Sequence, residues 1–260
     1  MRDEGRGAVT PLTWQAVGSI TDLISIIDAD ADLADLLGAD ERDRARRQAL
    51  TRERRLSPGD WDVHLAMEPD IHHRGFLVIE GLLSREVEVL GRRCVELIGP
   101  GDVLRPWRWD DGGSHVRAEV GWVVLEPSRL AVLDHGLVRR MDPWPQLGLE
   151  LFARGTRRAH SLAVALAISH HPHVDDRLLL TLWHLSDRWG RVRPDGIAVD
   201  LPLSHQRLAD LVGAHRPSVT SAIGKLTRSG SVSRHDDGSW ILHGSPPDEM
   251  RHHRLVAAMT

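Results

Sequence analysis

The segment that most constrains the fold is a pair of short helical patterns separated by a three-residue turn. The pattern predicts a first helix over residues 204–212, a turn over 213–215 and a second helix over 216–229. Gly213 suits this turn because glycine readily adopts the left-handed backbone conformation that ends a helix and reverses the chain. Pro217 falls in the first turn of the second helix, where a missing N–H breaks no hydrogen bond. Two helices joined this tightly predict a helix-turn-helix.

Both helices of this pair have one apolar face. The apolar residues recur at helical spacing: Leu208, Leu211 and Val212 in the first helix, and Val219, Ile223 and Leu226 in the second. Ser204 is a favoured N-cap for the first helix. Residues 203–234 carry five basic residues against one acid, Asp210, although the chain as a whole has a formal net charge of −4. This local excess of positive charge favours an anionic partner.

A β-hairpin is predicted after the second helix. Asp237-Gly238 lies between Val232 and the apolar residues 240–242, which is a strong signal for a two-residue hairpin turn. Helix, turn, helix and hairpin together are typical of a winged helix-turn-helix, whose second helix enters the DNA major groove. We therefore expect contacts to bases from the exposed polar start of the second helix, and to phosphates from Lys225 and Arg228 further along it. The expected base-reading residues are Arg216, Pro217, Ser218, Thr220 and Ser221.

Three regions with different sequence patterns precede this domain. Residues 12–56 are predicted to be helical, and we interpret their arginine-dense part (RDRARRQALTRERR) as a solvated helix with salt-bridged faces rather than a nucleic-acid-binding arm. Between residues 75 and 135, short β-rich runs broken by glycine and proline predict an antiparallel sandwich or roll. The pattern then becomes helical, and residues 161–168 (SLAVALAI) are apolar nearly all round. Such a helix needs cover from its own β-domain and from a second subunit.

The C-terminal pattern resembles the DNA-binding domain of a known family. The residues LPLSHQRLADLVGAHRPSVTSAIGKLTRSGSV resemble that domain of the Crp/Fnr family of bacterial transcription regulators, and VELIGPGDVL resembles a strand and Gly-Asp turn of the family's β-roll. The resemblance covers residues 60–243. It implies an α+β fold with a cyclic-nucleotide-binding-like β-roll, flanking helices, a long dimerisation helix and a C-terminal winged helix-turn-helix. The expected divisions are N-terminal helices over 1–56, the β-roll effector domain over 57–143, the dimerisation helix over 144–171, the DNA-binding domain over 174–245 and a tail over 246–260.

The resemblance implies a homodimeric, sequence-specific regulator that binds double-stranded DNA and RNA polymerase. It adds phosphate contacts to those expected above, so that the full phosphate set is Ser204, His205, Gln206, Lys225, Arg228 and Arg234. The residues expected at the dimer interface are Leu151, Ala159, Leu162 and Leu166. Arg216 matches the arginine that reads guanine in the best-known members. Those members have glutamate where this chain has Pro217, and a second base-reading arginine where it has Ser221, so we expect a different operator.

Several other function classes find no support in the sequence. Arg105-Pro106 and Gly112-Gly113 stand where the family's cyclic-nucleotide-binding pairs belong, so we expect no cyclic-nucleotide binding by the usual mode and leave the effector unknown. The single cysteine, Cys94, excludes an intramolecular disulfide and is expected to be packed. We interpret the histidine-rich residues 169–176 as surface sequence, and we predict no metal and no cofactor.

Enzyme motifs and membrane signals are also missing from the sequence. It contains no phosphate-binding loop, no dinucleotide-binding motif and no zinc-protease or hydrolase motif, so we expect a protein that is not an enzyme. Without a secretory signal or a long apolar run, we expect the cytoplasm and no membrane. Two alternatives stay open. One is a winged-helix module that contacts a protein, and the other is a nucleotide-sensing member of the family with a non-standard pocket.

Overall fold

An antiparallel sheet dominates the first half of the chain in the computed structural model, which describes residues 20–63, 73–106 and 115–247. Its strands are β1 Ile20–Ser25, β2 Leu50–Leu56, β3 Gly59–Asp60, β4 His73–Val89, β5 Arg92–Ile98, β6 Val103–Leu104 and β7 Glu119–Asp134. They are ordered β1-β2-β7-β4-β5, with β3 paired to β7 and β6 paired to β4, and every pair is antiparallel. We call this sheet the roll. It confirms the antiparallel β-architecture expected between residues 75 and 135.

Alternating side chains of the roll close over an aromatic core. The ring centroid of Trp61 lies 6.0 Å from that of Phe76 and 5.8 Å from that of Trp122, both in edge-to-face geometry. Leucine and valine side chains from the long strands β4 and β7 fill the space around these rings. Such edge-to-face pairs stabilise a core by about 1 kcal/mol beyond the area that they bury.

The helical expectation for residues 12–56 is wrong at both ends of its described part. Only α1 Ile26–Ala29, α2 Ala31–Asp35 and α3 Ala39–Gln48 are helical, whereas β1 and β2 flank them as strands. The prediction is wrong for the second half of the arginine-dense segment, because this half is a strand with a buried charged side chain. Glu53 on β2 is only 1% exposed, and its carboxylate accepts hydrogen bonds from Arg55 and Arg129. These arginines, one of them across the sheet on β7, balance the charge that the strand buries.

Helix α3 itself agrees with the interpretation as a salt-bridged, solvated helix. Arg46 pairs with Asp28 at 2.6 Å and with Asp43 at 3.0 Å, and all three side chains are largely solvent-accessible. Its single buried residue, Ala45, joins a cluster that also contains Leu33 and Trp144. The short N-terminal helices therefore lie against the start of the long helix that follows the roll. Residues 12–19 lie outside the described residues.

A long helix and a shorter one follow the roll. α4 His135–Met141 precedes α5 Pro145–Ser169, and after a four-residue turn comes α6 Val174–Trp189. The buried side of α5 includes Leu147, Arg154 and Ile168. Its opposite side exposes large apolar residues, of which Phe152 is 76% exposed. Among the described residues, no helix combines the length and the apolar character needed to cross a membrane.

The last part of the chain is a small helical domain with its own sheet. Strands β8 Gly190–Arg193 and β9 Gly196–Val199 precede α7 His205–Val212 and α8 Arg216–Arg228, and β10 Val232–Arg234 and β11 Trp240–Leu242 follow. The sheet order is β10-β11-β9-β8. One hydrophobic cluster joins these elements and α6 to Leu82 and Leu97 of the roll. The helical domain therefore packs directly on the roll.

The expectation that Cys94 is packed is wrong. Cys94 is exposed, on β5 opposite Val87 of β4. This pair lies near the tip of the β4–β5 hairpin, where the two strands have run past the core. Leu90 at the tip is 99% exposed and has a positive φ of 49°. The β-rich sequence around Cys94 predicted the strand correctly but did not reveal that the strand extends beyond the body of the roll.

Candidate nucleic-acid interface

The turn between α7 and α8 has the geometry that its residues predict. Gly213 ends α7 in the left-handed conformation, with φ 60° and ψ 44°. The next residue, Ala214, donates its backbone N–H to the carbonyl oxygen of Ala209 at 2.9 Å. At the other end of α7, the hydroxyl of Ser204 accepts a hydrogen bond from the backbone N–H of Arg207 at 3.2 Å. Both ends of the short helix are thus fixed by local hydrogen bonds, and α8 begins after three residues.

The first turns of α8 face outward on one side and into the core on the other. Val219, Ala222 and Leu226 are buried against α6 and α7. The residues that sequence analysis assigned to base reading are all exposed: Arg216, Pro217, Ser218, Thr220 and Ser221. Among the described residues, the guanidinium of Arg216 makes no hydrogen bond and no ion pair. The structure therefore presents a strip of polar groups along one edge of the helix.

Thr220 differs from its neighbours because its hydroxyl is engaged inside the motif. It donates to the carbonyl oxygen of Arg216 at 3.1 Å and lies 3.0 Å from Nδ1 of His205. His205 is the first residue of α7, so this contact ties the start of the first helix to the middle of the second. The sequence predicts a phosphate contact for His205 and a base contact for Thr220, but no pattern in it indicates that the two side chains meet.

The cations expected at phosphates lie around this strip. Lys225 and Arg228 are exposed further along α8, and Arg234 lies in the wing with its guanidinium 5.1 Å from the ring centroid of Trp240. Lys225 also donates to Asp175 at the start of α6, at 3.5 Å. The pKa of the Asp175 carboxyl lies below its usual value, chiefly through its own backbone N–H and also through the charge of Lys225. Asp175 was not expected as a partner, because 50 residues separate the two.

The hairpin of the wing is longer than predicted. Its loop covers residues 235–239, with Asp236 and Asp237 at the centre of a turn closed by a 2.9 Å hydrogen bond from the N–H of Gly238 to the carbonyl oxygen of His235. The expectation of a two-residue turn at Asp237-Gly238 is therefore wrong. The Asp237 carboxylate accepts from the hydroxyl of Ser239 at 2.6 Å and from its N–H at 2.9 Å, which lowers its pKa and favours the longer loop. Gly238, with φ 88°, returns the chain to β11.

A second exposed surface lies on α5. Ala159, Leu162 and Leu166, which sequence analysis assigned to a dimer interface, are exposed along the side of the helix away from the roll. Leu151, assigned with them, is half-buried and packs against the N-terminal cluster of its own chain, so it does not belong to this exposed surface. Phe152, which is exposed on this side of α5, belongs to the surface instead. Helical periodicity did not separate these neighbours, because Leu151 lies at the margin between the buried side and the exposed side.

Of the positions where the family's cyclic-nucleotide pairs belong, Arg105 is exposed and Pro106 is buried, whereas Gly112 and Gly113 lie outside the described residues. The described residues contain no group of three or more His, Cys, Asp or Glu side chains arranged for a metal ion. The histidine-rich residues 169–176, which are among the described residues, form no such group.

Comparisons with known proteins agree with this architecture. A family described as the Crp-like helix-turn-helix domain matches residues 176–243. The chain is 38% identical over 65 residues to a global nitrogen regulator of Synechococcus elongatus, covering 25% of this chain and 29% of that protein. It is 39% identical over 66 residues to an anaerobic regulatory protein of Bacillus subtilis, covering 25% of this chain and 28% of that protein. These matches thus span less than a third of the length of either relative.

Solved structures extend the likeness to the roll. The c-di-GMP responsive global regulator CLP of Xanthomonas campestris matches 80% of this chain and all of its own, with a TM-score of 0.54 and 22% identity. A mutant of CooA from Carboxydothermus hydrogenoformans matches 74% of this chain and 83% of its own, with a TM-score of 0.56 and 18% identity. At these identities the likeness shows the fold. It confirms an α+β chain with a β-roll followed by a winged helix-turn-helix.

Proposed function

We propose that the chain is a transcription regulator of the Crp/Fnr family and that it binds double-stranded DNA sequence-specifically through α8. The observation that carries the proposal is the exposed polar strip at the start of α8. Its buried side anchors the helix to the core, and Gly213 and the Ser204 cap set its direction. A helix held in this way fits the B-DNA major groove, which is ~12 Å wide.

The strip offers three side chains to base edges. Arg216 supplies a forked donor, and its guanidinium makes no bond to a described residue that would have to be broken. Such a donor matches the O6 and N7 acceptors of guanine. Ser218 and Ser221 supply short hydroxyls on the same exposed side. We assign Thr220 a different role from these, because its hydroxyl already holds His205 and α7 in place. Pro217 offers only apolar contact.

Phosphate contacts would surround this strip. We propose that Lys225 and Arg228 contact one backbone strand and that Arg234 in the wing contacts the other, while Ser204, His205 and Gln206 approach a phosphate from the start of α7. Lys225 leaves only an exposed pair with Asp175, which stabilises the protein by less than about 1 kcal/mol. Exchanging such a pair for a phosphate therefore costs little. Several contacts of this kind make binding depend strongly on salt.

Two copies of the chain would bind together. The apolar side of α5, formed by Phe152, Ala159, Leu162 and Leu166, is exposed to solvent and suits a twofold contact with the same surface of a second copy. Pairing would present two α8 helices to successive major grooves. The proposed family also makes RNA polymerase the partner that we propose for the bound dimer. We propose no enzymatic activity.

The proposal is tested by selecting bound duplexes from a random pool with the full chain. We expect enrichment of two inverted half-sites centred about one helical turn apart. Leu166→Glu should place a charge in the apolar contact, yield monomers by sedimentation and abolish the symmetry. Leu90→Glu is the matched control, because Leu90 lies at the remote tip of the β4–β5 hairpin. No enrichment in dilute salt would overturn DNA binding, and an unpaired half-site selected by the wild-type chain would overturn the dimer.

A further inference from the structure

A cleft of about 770 Å³ lies between α5 and α6. The turn over residues 170–173 joins the two helices, and the roll contributes Pro100, Gly101 and Asp102 to the cleft. Its volume falls within the range of small-molecule sites, about 300 to 1,000 Å³. The described residues that line the cleft include neither the polar strip of α8 nor Arg105-Pro106. The DNA-binding proposal therefore does not explain it.

The cleft has an apolar floor and a polar rim. Val164, Ala167, Ile168 and Leu180 form the floor. His184 stands beside the floor with its Nε2 atom 2.9 Å from the hydroxyl of Ser161, and burial lowers its pKa, so the ring is neutral near pH 7. An uncharged imidazole and four aliphatic side chains favour the apolar body of a ligand.

The acidic side chains of the rim are already engaged. Asp102 accepts from Arg188 at 2.6 Å and from the N–H of Gly99 at 2.9 Å, and Asp32 lies 3.7 Å from Arg154. Asp187 also takes part in an interaction within the chain. A cationic ligand would therefore have to compete with these existing contacts for each carboxylate.

The hydrogen-bond donors at the rim are less strongly engaged within the chain than these carboxylates. Arg157 is 62% exposed, and its pair with Glu150 is a surface contact that contributes little to stability and is cheaply exchanged. His160 on α5 and His171 in the turn after it are both exposed, and each borders the cleft. An anionic group at this rim would gain charge-assisted hydrogen bonds from Arg157 and N–H donors from the two histidines.

We propose that this cleft binds a small organic anion with an apolar body, held by the floor at one end and by Arg157 at the other. The walls come from the roll, from α5 and from α6, which packs on α7 and α8. A bound molecule would thus touch every part of the chain whose relative position sets the direction of α8. Binding itself does not depend on DNA, so it is measured without DNA.

The probe is 8-anilinonaphthalene-1-sulfonate, whose fluorescence rises in an apolar site, titrated into the full chain. We expect one saturable site per chain. N-phenyl-1-naphthylamine, which has the same body without the sulfonate, should bind about tenfold more weakly, because it loses a charge-assisted hydrogen bond. Arg157→Gln should weaken binding of the sulfonate by a similar factor. Arg139→Gln, which changes an exposed arginine on α4, should not.

A second variant tests the location. Val164→Trp fills the cleft from the α5 side and should abolish saturable binding, while the melting temperature and the oligomeric state report whether the chain still folds. Wild-type affinity in Val164→Trp would overturn the site. Equal affinity for the charged and uncharged probes, or wild-type affinity in Arg157→Gln, would overturn the assignment to an anion.

Discussion

The ion pair between Asp30 and Arg154 gives a sharp test of how the N-terminal helices are held to the rest of the chain. Arg154 is 5% exposed, and the side chain of Asp30 is 9% exposed. Two parallel hydrogen bonds join them, one of them 2.9 Å from Nη2 to Oδ1. The same guanidinium donates to Glu150 at 3.1 Å and to the carbonyl oxygen of Gly101 at 3.4 Å. One side chain thus links the N-terminal helices, α5 and the roll.

Arg154→Met removes the cation and leaves the Asp30 carboxylate buried. Losing one partner of a buried pair costs about 3–5 kcal/mol, because the remaining charge has no counter-charge. Asp30→Asn removes that charge but keeps an oxygen that can accept from the N–H of Leu33 at the start of α2. The double variant should therefore regain at least half of the loss. The measurement is the free energy of unfolding in urea, followed by tryptophan fluorescence.

The control is Arg157→Met, which breaks only the exposed contact to Glu150 and should cost less than about 1 kcal/mol. The dependence of the free energy of unfolding on acidic pH provides a second test. Burial raises the pKa of Asp30 and its bonds to Arg154 lower it, and the net pKa lies below the ordinary 3.8. The pair therefore stabilises the fold fully above that value and loses its effect as the pH falls through the lower, folded value. Arg154→Met within 1 kcal/mol of the wild type, or a double variant no better than the single one, would refute the reasoning.

Three further outcomes are expected. Gly213→Ala should destabilise the fold by roughly 1–2 kcal/mol, because φ is 60° at this position. Gly224→Ala inside α8 should instead stabilise it by up to about 1 kcal/mol, so that thermal unfolding should show a lower melting temperature for the first variant and a higher one for the second. Lys225→Gln should reduce the slope of log K for DNA against log salt by about one, and an unchanged slope would remove Lys225 from the phosphate contacts. Burial lowers the pKa of His184 in the folded chain below 6.5. The free energy of unfolding should therefore decrease as the pH drops from 6.5, and this decrease should be smaller in His184→Gln.

The helix-turn-helix was predictable because its signals are local. An N-cap serine, a glycine in the left-handed conformation and a proline in a first turn each act within a few residues, so the bounds of α7 and α8 agree with the prediction within one residue. The wing shows the limit of such signals. Asp237-Gly238 marked the turn, but the two hydrogen bonds that the Asp237 carboxylate accepts from the N–H and the hydroxyl of Ser239 favour its longer loop.

Long-range contacts were not predictable. The strand at 50–56 is stabilised by Arg129, which is 76 residues from Glu53, and no local pattern reveals this pairing. The contact between His205 and Thr220 and that between Lys225 and Asp175 depend equally on how helices pack. The cleft between α5 and α6 is of the same kind, because its walls come from segments that meet only in the folded chain.

The most direct test of the DNA-binding account is the specificity ratio of Arg216→Ala. The affinity of the full chain for its selected duplex is divided by that for a scrambled duplex at one fixed salt concentration. We expect the variant to lose about 1–3 kcal/mol of this discrimination per half-site, while its melting temperature stays at the wild-type value because the side chain is exposed. An unchanged ratio would contradict the placement of α8 in the major groove.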